Sequence, residues 1–97
     1  MGKVMLSSPM AGKTDKEIVD ERLAMINEIE TIYSHYEIMD TVIEDHESKT
    51  DLECFAESAK FLSQADVLFM GKGWADARGC KFEHDIASAY GLQIMYL

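Results

Sequence analysis

The sequence predicts an α/β fold: a parallel sheet of about four strands with helices on both faces. Three observations carry that prediction. Four short apolar runs recur along the chain, KVMLS (3–7), YEIMDTV (36–42), DVLFM (66–70) and QIMYL (93–97). The stretches between them are long enough for helices, and two of these open on a Thr-x-x-Glu capping box. Strands that alternate with helices imply right-handed crossovers, and so a parallel sheet buried between helical layers.

Each element has a local reason. Lys3–Ser7 is an apolar run ended by Ser-Ser-Pro, the pattern of a buried strand that runs into a turn. Thr14 and Glu17 form the first capping box, in which each side chain satisfies the other's orphan N–H. Val19, Leu23, Ile26, Ile29 and Tyr33 follow at helical spacing, with Glu21, Glu28 and Glu30 on the wetter side. Tyr36–Val42 alternates as a second strand, and EDHESK (44–49) is a polar loop. Thr50 and Glu53 form the second capping box, which opens a helix to about Ser63. Asp66–Met70 is a third buried strand, broken by Gly71-Lys-Gly73. A helix is predicted from about Arg78 to Tyr90 with Gly91 as its stop, and Gln93–Leu97 is the last strand. The order is that of a small flavodoxin- or Rossmann-like sheet. Met5, Met10, Met25, Met39, Met70 and Met95 read as core filler. So small a sheet leaves an edge or face that is expected to pair with another subunit.

The 97 residues are expected to form one domain (1–97), near the lower end of what buries a sufficient core. No apolar run approaches the roughly 20 residues that span a bilayer, and the N-terminus lacks the pattern of a secretory signal. Cys54 and Cys80 are too few for a disulfide scaffold, so a reducing cytoplasm is the expected compartment. The net charge of −9 argues against long nucleic acid as a partner. Residues 14–63 hold 14 acidic and 4 basic side chains, so the acidic excess sits on the middle segments and the two ends are near neutral. A small ligand handled by the two ends of the chain is not strongly repelled. His35, His46 and His84 show no metal-ligand spacing, so neither metal nor other cofactor is assigned.

SSPMAGKT (7–14) has the Gly-Lys-Thr ending of a phosphate-binding loop, but the match fails on chemistry. Such a loop needs glycine where Ser7 stands, and Pro9 lacks an N–H that would cradle phosphate. Asp66, the only acidic candidate for a metal-side partner, opens its strand and lies at the wrong pole. The location still matters, because open α/β sheets bind ligands where a strand's carboxyl end meets a helix N-terminus.

GKGWADARGCKFEHDIASAYG (71–91) leaves another strand at the same pole, so the two loops are expected to converge on one crevice. On a helix, Glu83 shares a side with Cys80, Ala87 and Tyr90, a nearly apolar set. The pattern leaves two readings: a carboxylate held against apolar walls as nucleophile or general acid, or one that reaches solvent or pairs with Arg78. Asp76 reads as a possible site residue or as the helix cap. Trp74 reads as the wall of a base-binding pocket or as a core or interface aromatic. Gly71, Gly73 and Gly79 permit a tight turn and close ligand approach. Cys80 and His84 at i and i+4 would allow a thiolate–imidazole pair, against the more ordinary reading of a buried cysteine beside a surface histidine.

These stretches together resemble the nucleoside 2-deoxyribosyltransferase-like family, above all its short, largely uncharacterised bacterial and phage members. The resemblance covers most of the chain. It rests on KVMLSSPMAGK, on SQADVLFMGKGWADARGCKFEHDIASAYG and on the βα order between them. It implies that Glu83 attacks the anomeric carbon of a deoxynucleoside, the base leaves, and a second base or water resolves the glycosyl-enzyme, the retaining two-step logic of carboxylate glycosidases. It further implies that the loop of Ser7, Ser8, Pro9, Met10 and Gly12 binds sugar or phosphate through backbone N–H groups. Asp76 would contact the sugar, and Trp74, with Gly71, Gly73, Arg78 and Gly79, would line the pocket. Members of the family assemble as dimers or larger oligomers. The sequence departs from the family at Met5, where tyrosine is common, at Ser8, where glycine is common, and at Ser58, where an aspartate usually helps protonate the leaving base. Glu57 adjoins Ser58 but projects about 100° away on a helix.

Three functions follow as expectations: an N-glycosidic-bond transferase or hydrolase on nucleosides or nucleoside monophosphates; a non-catalytic nucleotide or nucleotide-sugar binder that keeps the pocket; and an interaction module with acidic helices. Lys13, Lys72 and Arg78 near the crevice would suit a phosphate.

Overall fold

Strands β1 (Gly2–Ser7), β2 (Tyr36–Ile38), β3 (Val67–Met70) and β4 (Gln93–Tyr96) pair in parallel in the order β2-β1-β3-β4. Three helices connect them: α1 (Asp15–Ile32), α2 (Asp51–Leu62) and α3 (Arg78–Ala89). The computed structural model describes residues 2–10, 12–32, 35–39 and 48–97. The architecture is the small Rossmann- or flavodoxin-like α/β fold that the alternating pattern predicts.

Side chains on a strand point alternately to its two faces, and that period sorts the core into two layers. Val4 and Leu6 of β1 join Val67 and Phe69 of β3 against Met25 and Ile29 of α1. Met5, Leu68 and Met70 face the other way, against Leu62 and Ala65 from α2 and its end, and Cys80 and Ala87 from α3. Helices therefore cover both faces, α1 on one and α2 with α3 on the other.

Both capping boxes form. The Glu17 amide donates to Thr14 Oγ1 at 3.2 Å while the Thr14 amide donates to Glu17 Oε1 at 3.1 Å. Thr50 and Glu53 repeat the arrangement at 3.1 Å each way. The bonded threonine N–H groups hold the Glu17 and Glu53 carboxyls below the ordinary carboxylate range. Gly91 ends α3 with φ 72°, in the left-handed region that glycine enters without a Cβ penalty. Asp66 sits at the amino pole of the sheet, where its Oδ2 accepts from the Lys3 amide at 2.8 Å. Among the described residues no helix is long and apolar enough to cross a membrane.

Four expectations need correction. First, α1 buries only part of the predicted face: Ile29 is buried and Ile26 packs against the core, but Val19 and Leu23 are 53% and 51% exposed and Met25 is buried beside Ile29. The helix carries two apolar arcs, Ile18–Met25–Ile29 and Val19–Leu23–Ile26, and spacing cannot say which meets the sheet. Second, Met10 is exposed rather than core filler. Third, Tyr90 is 87% exposed, so Glu83's apolar side ends at Ala87. Fourth, β2 ends at Ile38. The predicted continuation over residues 40–42, most of the polar loop and Tyr33 lie outside the described residues.

Candidate functional site

The strand order places a topological switch point between β1 and β3. The chain leaves β1 into α1 on one face and leaves β3 into α3 on the other, so the two exit loops diverge and open a crevice at the carboxyl ends. The loops are stitched at their roots. The Gly71 amide donates to the Ser7 carbonyl at 2.7 Å. Gly71 is buried so tightly that an added Cβ would lie 3.0 Å from Ser8 Cβ, 3.1 Å from Met25 Sδ and 3.3 Å from the Ser7 carbonyl oxygen. Gly12 and Gly73 adopt φ 76° and 79°, and the Lys13 amide turns back to the Met10 carbonyl at 3.2 Å. The roots of the two loops therefore lie together, while the residues farther along them line separate clefts.

On the α3 side of this crevice stands Glu83. Its carboxyl is half-buried, and loss of hydration pushes it up to about 7, against the lowering influence of the Ser7 hydroxyl. It does not pair with Arg78, which binds Asp51 at the start of α2 with both side chains exposed. Ser7 is 2% exposed, and its Oγ is a buried polar atom without a hydrogen-bond partner. The hydroxyl is nonetheless the neighbour whose hydrogen bonding lowers both the Glu83 carboxyl and the Cys80 thiol, so it lies at the edge of bonding reach of the two. Burial also pushes the Cys80 thiol up; Glu83 adds to that rise, while Ser7 and Lys13 oppose it. Cys80 is therefore a buried, protonated thiol, and the thiolate–imidazole possibility is excluded: His84 is engaged elsewhere.

His84 stacks on Trp74 with ring centroids 4.2 Å apart and planes 19° apart. Its Nε2 lies 2.9 Å from the Tyr96 hydroxyl, in hydrogen-bond contact, and Tyr96 also tilts against Trp74. Sequence reading missed Tyr96. The available signal was strand register, since β4 pairs with β3 so that Tyr96 lies opposite Met70 at the same pole.

The remaining expected site residues divide. Ser8 and Gly71 line a cleft of about 300 Å³ on the α1 side, with Lys72, Met25, Ala24 and Leu97. Asp76 lies in a short 3-10 turn, Trp74–Asp76, and does not cap α3, whose N-cap is Ala77. Asp76 and Arg78 instead line a shallow cleft with Phe82 and Asp85. Glu83 lines neither cleft. Pro9 is half-buried near Gly73, while Met10, Gly12 and Gly79 are exposed. Lys13 is held by both carboxylate oxygens of Glu21, at 2.5 and 2.7 Å. Lys72 is exposed, with no ion-pair partner among the described residues. Ser58 is half-buried on α2, and its neighbour Glu57 is bound to Lys49 at 2.6 Å. No group of three or more His, Cys, Asp or Glu among the described residues could hold a metal ion.

The arrangement sets one weakly acidic carboxyl beside one buried hydroxyl near the switch point, with an aromatic cluster on neighbouring strand and helix ends. No curated protein matches the chain. Residues 2–96 match the model of the family described as Domain of unknown function (DUF4406), and the chain belongs to that family.

Proposed function

We propose that this protein acts on N-glycosidic bonds of nucleosides or nucleoside monophosphates, as a transferase or hydrolase, with Glu83 as nucleophile. The observation that carries the reading is the setting of Glu83: a half-buried carboxyl poised near neutrality, beside a buried hydroxyl. An acid whose titration is strongly shifted by burial is a candidate for chemistry, and the sequence motifs resemble the deoxyribosyltransferase-like family at this residue.

In the first step ionised Glu83 forms a C–O bond to the anomeric carbon as the C1′–N bond breaks. The electron pair leaves with the base nitrogen, which takes a proton from water. In the second step water or another base attacks C1′ and frees the carboxylate. Only ionised Glu83 is nucleophilic, so the rate is expected to rise with pH through about 7. The Ser7 hydroxyl would bond the sugar or the carboxylate in the complex, and Asp76, exposed in the free protein, would contact the sugar.

The second reading, a nucleotide binder without turnover, is favoured by one feature: Ser58 stands where the family's acid is usual, and Glu57 is occupied by Lys49. General-acid help is typically worth about 10²–10⁴-fold, so its loss slows departure of an unprotonated base.

The test incubates the protein and its Glu83→Gln variant with a panel of deoxynucleosides and their monophosphates and measures free base. Release by wild type alone, rising with pH, is the expected result. Thermal stabilisation by a nucleotide without release selects the binder. Equal release by both proteins, or no response to any compound, overturns the proposal.

A further inference from the structure

The reaction proposed above makes no use of the Trp74–His84–Tyr96 cluster, yet the cluster joins three elements at one pole: the Trp74–Asp76 turn, α3 and the end of β4. The turn has few other ties. Its backbone bonds run within it, from the Asp76 amide to the Gly73 carbonyl and from the Ala77 amide to the Trp74 carbonyl. No side-chain bond caps the turn or the start of α3. Gly73 faces Pro9 of the β1 exit loop, and Trp74 and Ala77 rest on the α3-side core. The indole plane is covered by the His84 ring stacked on it at 4.2 Å.

His84 is in turn engaged at both ring nitrogens. Its Nδ1 lies 3.4 Å from Asp85 Oδ1, and its Nε2 lies 2.9 Å from the Tyr96 hydroxyl. A carboxylate only accepts, so Nδ1 carries a proton, and in the neutral ring Nε2 accepts from the Tyr96 O–H. Packing alone would be served by any flat ring; two bonded edges also fix the direction of this one. Tyr96 pairs with Met70 in the β3–β4 register, so the hydroxyl is carried by the sheet itself.

We infer that His84 is a positioning residue: anchored to the sheet through Tyr96, it seats the Trp74–Asp76 turn at the carboxyl pole. Asp76 belongs to that turn and is placed with it. Glu83 precedes His84 and projects about 100° away on α3, so the same anchor sets the rotation of the helix that carries the carboxyl. The seating is independent of any chemistry, whereas its effect on substrate binding rests on the reaction proposed at Glu83.

Trp74 is the only tryptophan of the chain, so its emission reads the seat directly. His84→Ala, His84→Phe and Tyr96→Phe of the full chain are compared with wild type, with circular dichroism to show that each is folded. His84→Ala is expected to shift the emission to the red and to steepen its quenching by acrylamide. Tyr96→Phe, which keeps the ring and loses the hydroxyl, should do the same to a smaller extent, and it carries the comparison if His84→Ala unfolds. His84→Phe restores a stacked ring without the bonded edges and should resemble Tyr96→Phe. Wild-type quenching in Tyr96→Phe overturns the inference, and so does full recovery in His84→Phe, since stacking alone would then suffice. For any deoxynucleotide that the wild type cleaves, Tyr96→Phe should raise KM by roughly two- to tenfold, the range of one neutral hydrogen bond, with kcat held. An unchanged KM there would remove the positioning role. Absence of release from every compound would sink the chemistry at Glu83, while the quenching comparison still decides the seating.

Discussion

Replacing Glu83 by glutamine is expected to stabilise the protein above neutrality and to change little in acid. The carboxyl titrates near 4.5 when hydrated and near 7 in the folded chain, because burial disfavours its charge. Between those values the native state holds a proton that the unfolded state has released. Stability therefore falls as pH rises across the window, by up to 1.36 kcal/mol per pH unit for a single group. The contribution is fully present below the unfolded value and is lost above about 7. Over the whole window the loss approaches about 3 kcal/mol, and since the group is half-buried, partial hydration brings the expected range to about 1–3 kcal/mol. Glutamine has nearly the same shape and no charge, so it escapes this loss. Urea unfolding of both proteins at about pH 4 and about pH 8 gives the difference directly, because every other titrating group is common to the pair. A gap that is the same at both pH values would refute the claim that this carboxyl is poorly hydrated.

Ser7→Ala removes the hydroxyl whose hydrogen bonding lowers Glu83, so the Glu83 midpoint should move higher, while in acid, where the carboxyl is protonated, stability by urea unfolding should change by less than about 1 kcal/mol. An unmoved midpoint would refute the contact. Gly71→Ala drives a Cβ against Ser8, Met25 and the Ser7 carbonyl, and is expected to cost on the order of 1–3 kcal/mol, again by urea unfolding. Thr50→Ala breaks the capping box at the start of α2 and should cost about 1 kcal/mol. In a domain of this size that lowers Tm by roughly 4–8 °C, which calorimetry resolves.

Much of the fold was legible because local signals and burial period agree. Both Thr-x-x-Glu boxes mark helix starts, Gly91 marks a helix end, and β1 and β3 read as apolar runs because parallel strands are covered on both faces. The face of α1 was not legible: two apolar arcs compete, and the one that presents Met25 to the β1–β3 face wins through tertiary packing. For the site, spacing singled out Glu83 as a carboxyl on an apolar side, and its raised titration accords with that. Spacing could not separate residues that diverge around the switch point. Ser7 and Ser8 are neighbours in sequence, yet strand alternation sends one towards α3 and the other into the α1-side cleft. Nor could it find the Trp74–His84–Tyr96 cluster, which joins a turn, a helix and a strand end that only the folded sheet brings together.

The account's central claim is that Glu83 carries a poorly hydrated carboxyl at the meeting point of the β1 and β3 exits. Following its side-chain carboxyl carbon by NMR as pH is varied reads that carboxyl without reference to turnover. A midpoint close to 7, moving upward in Ser7→Ala, is the predicted result. A midpoint near the ordinary 4.5, indifferent to Ser7, would contradict it.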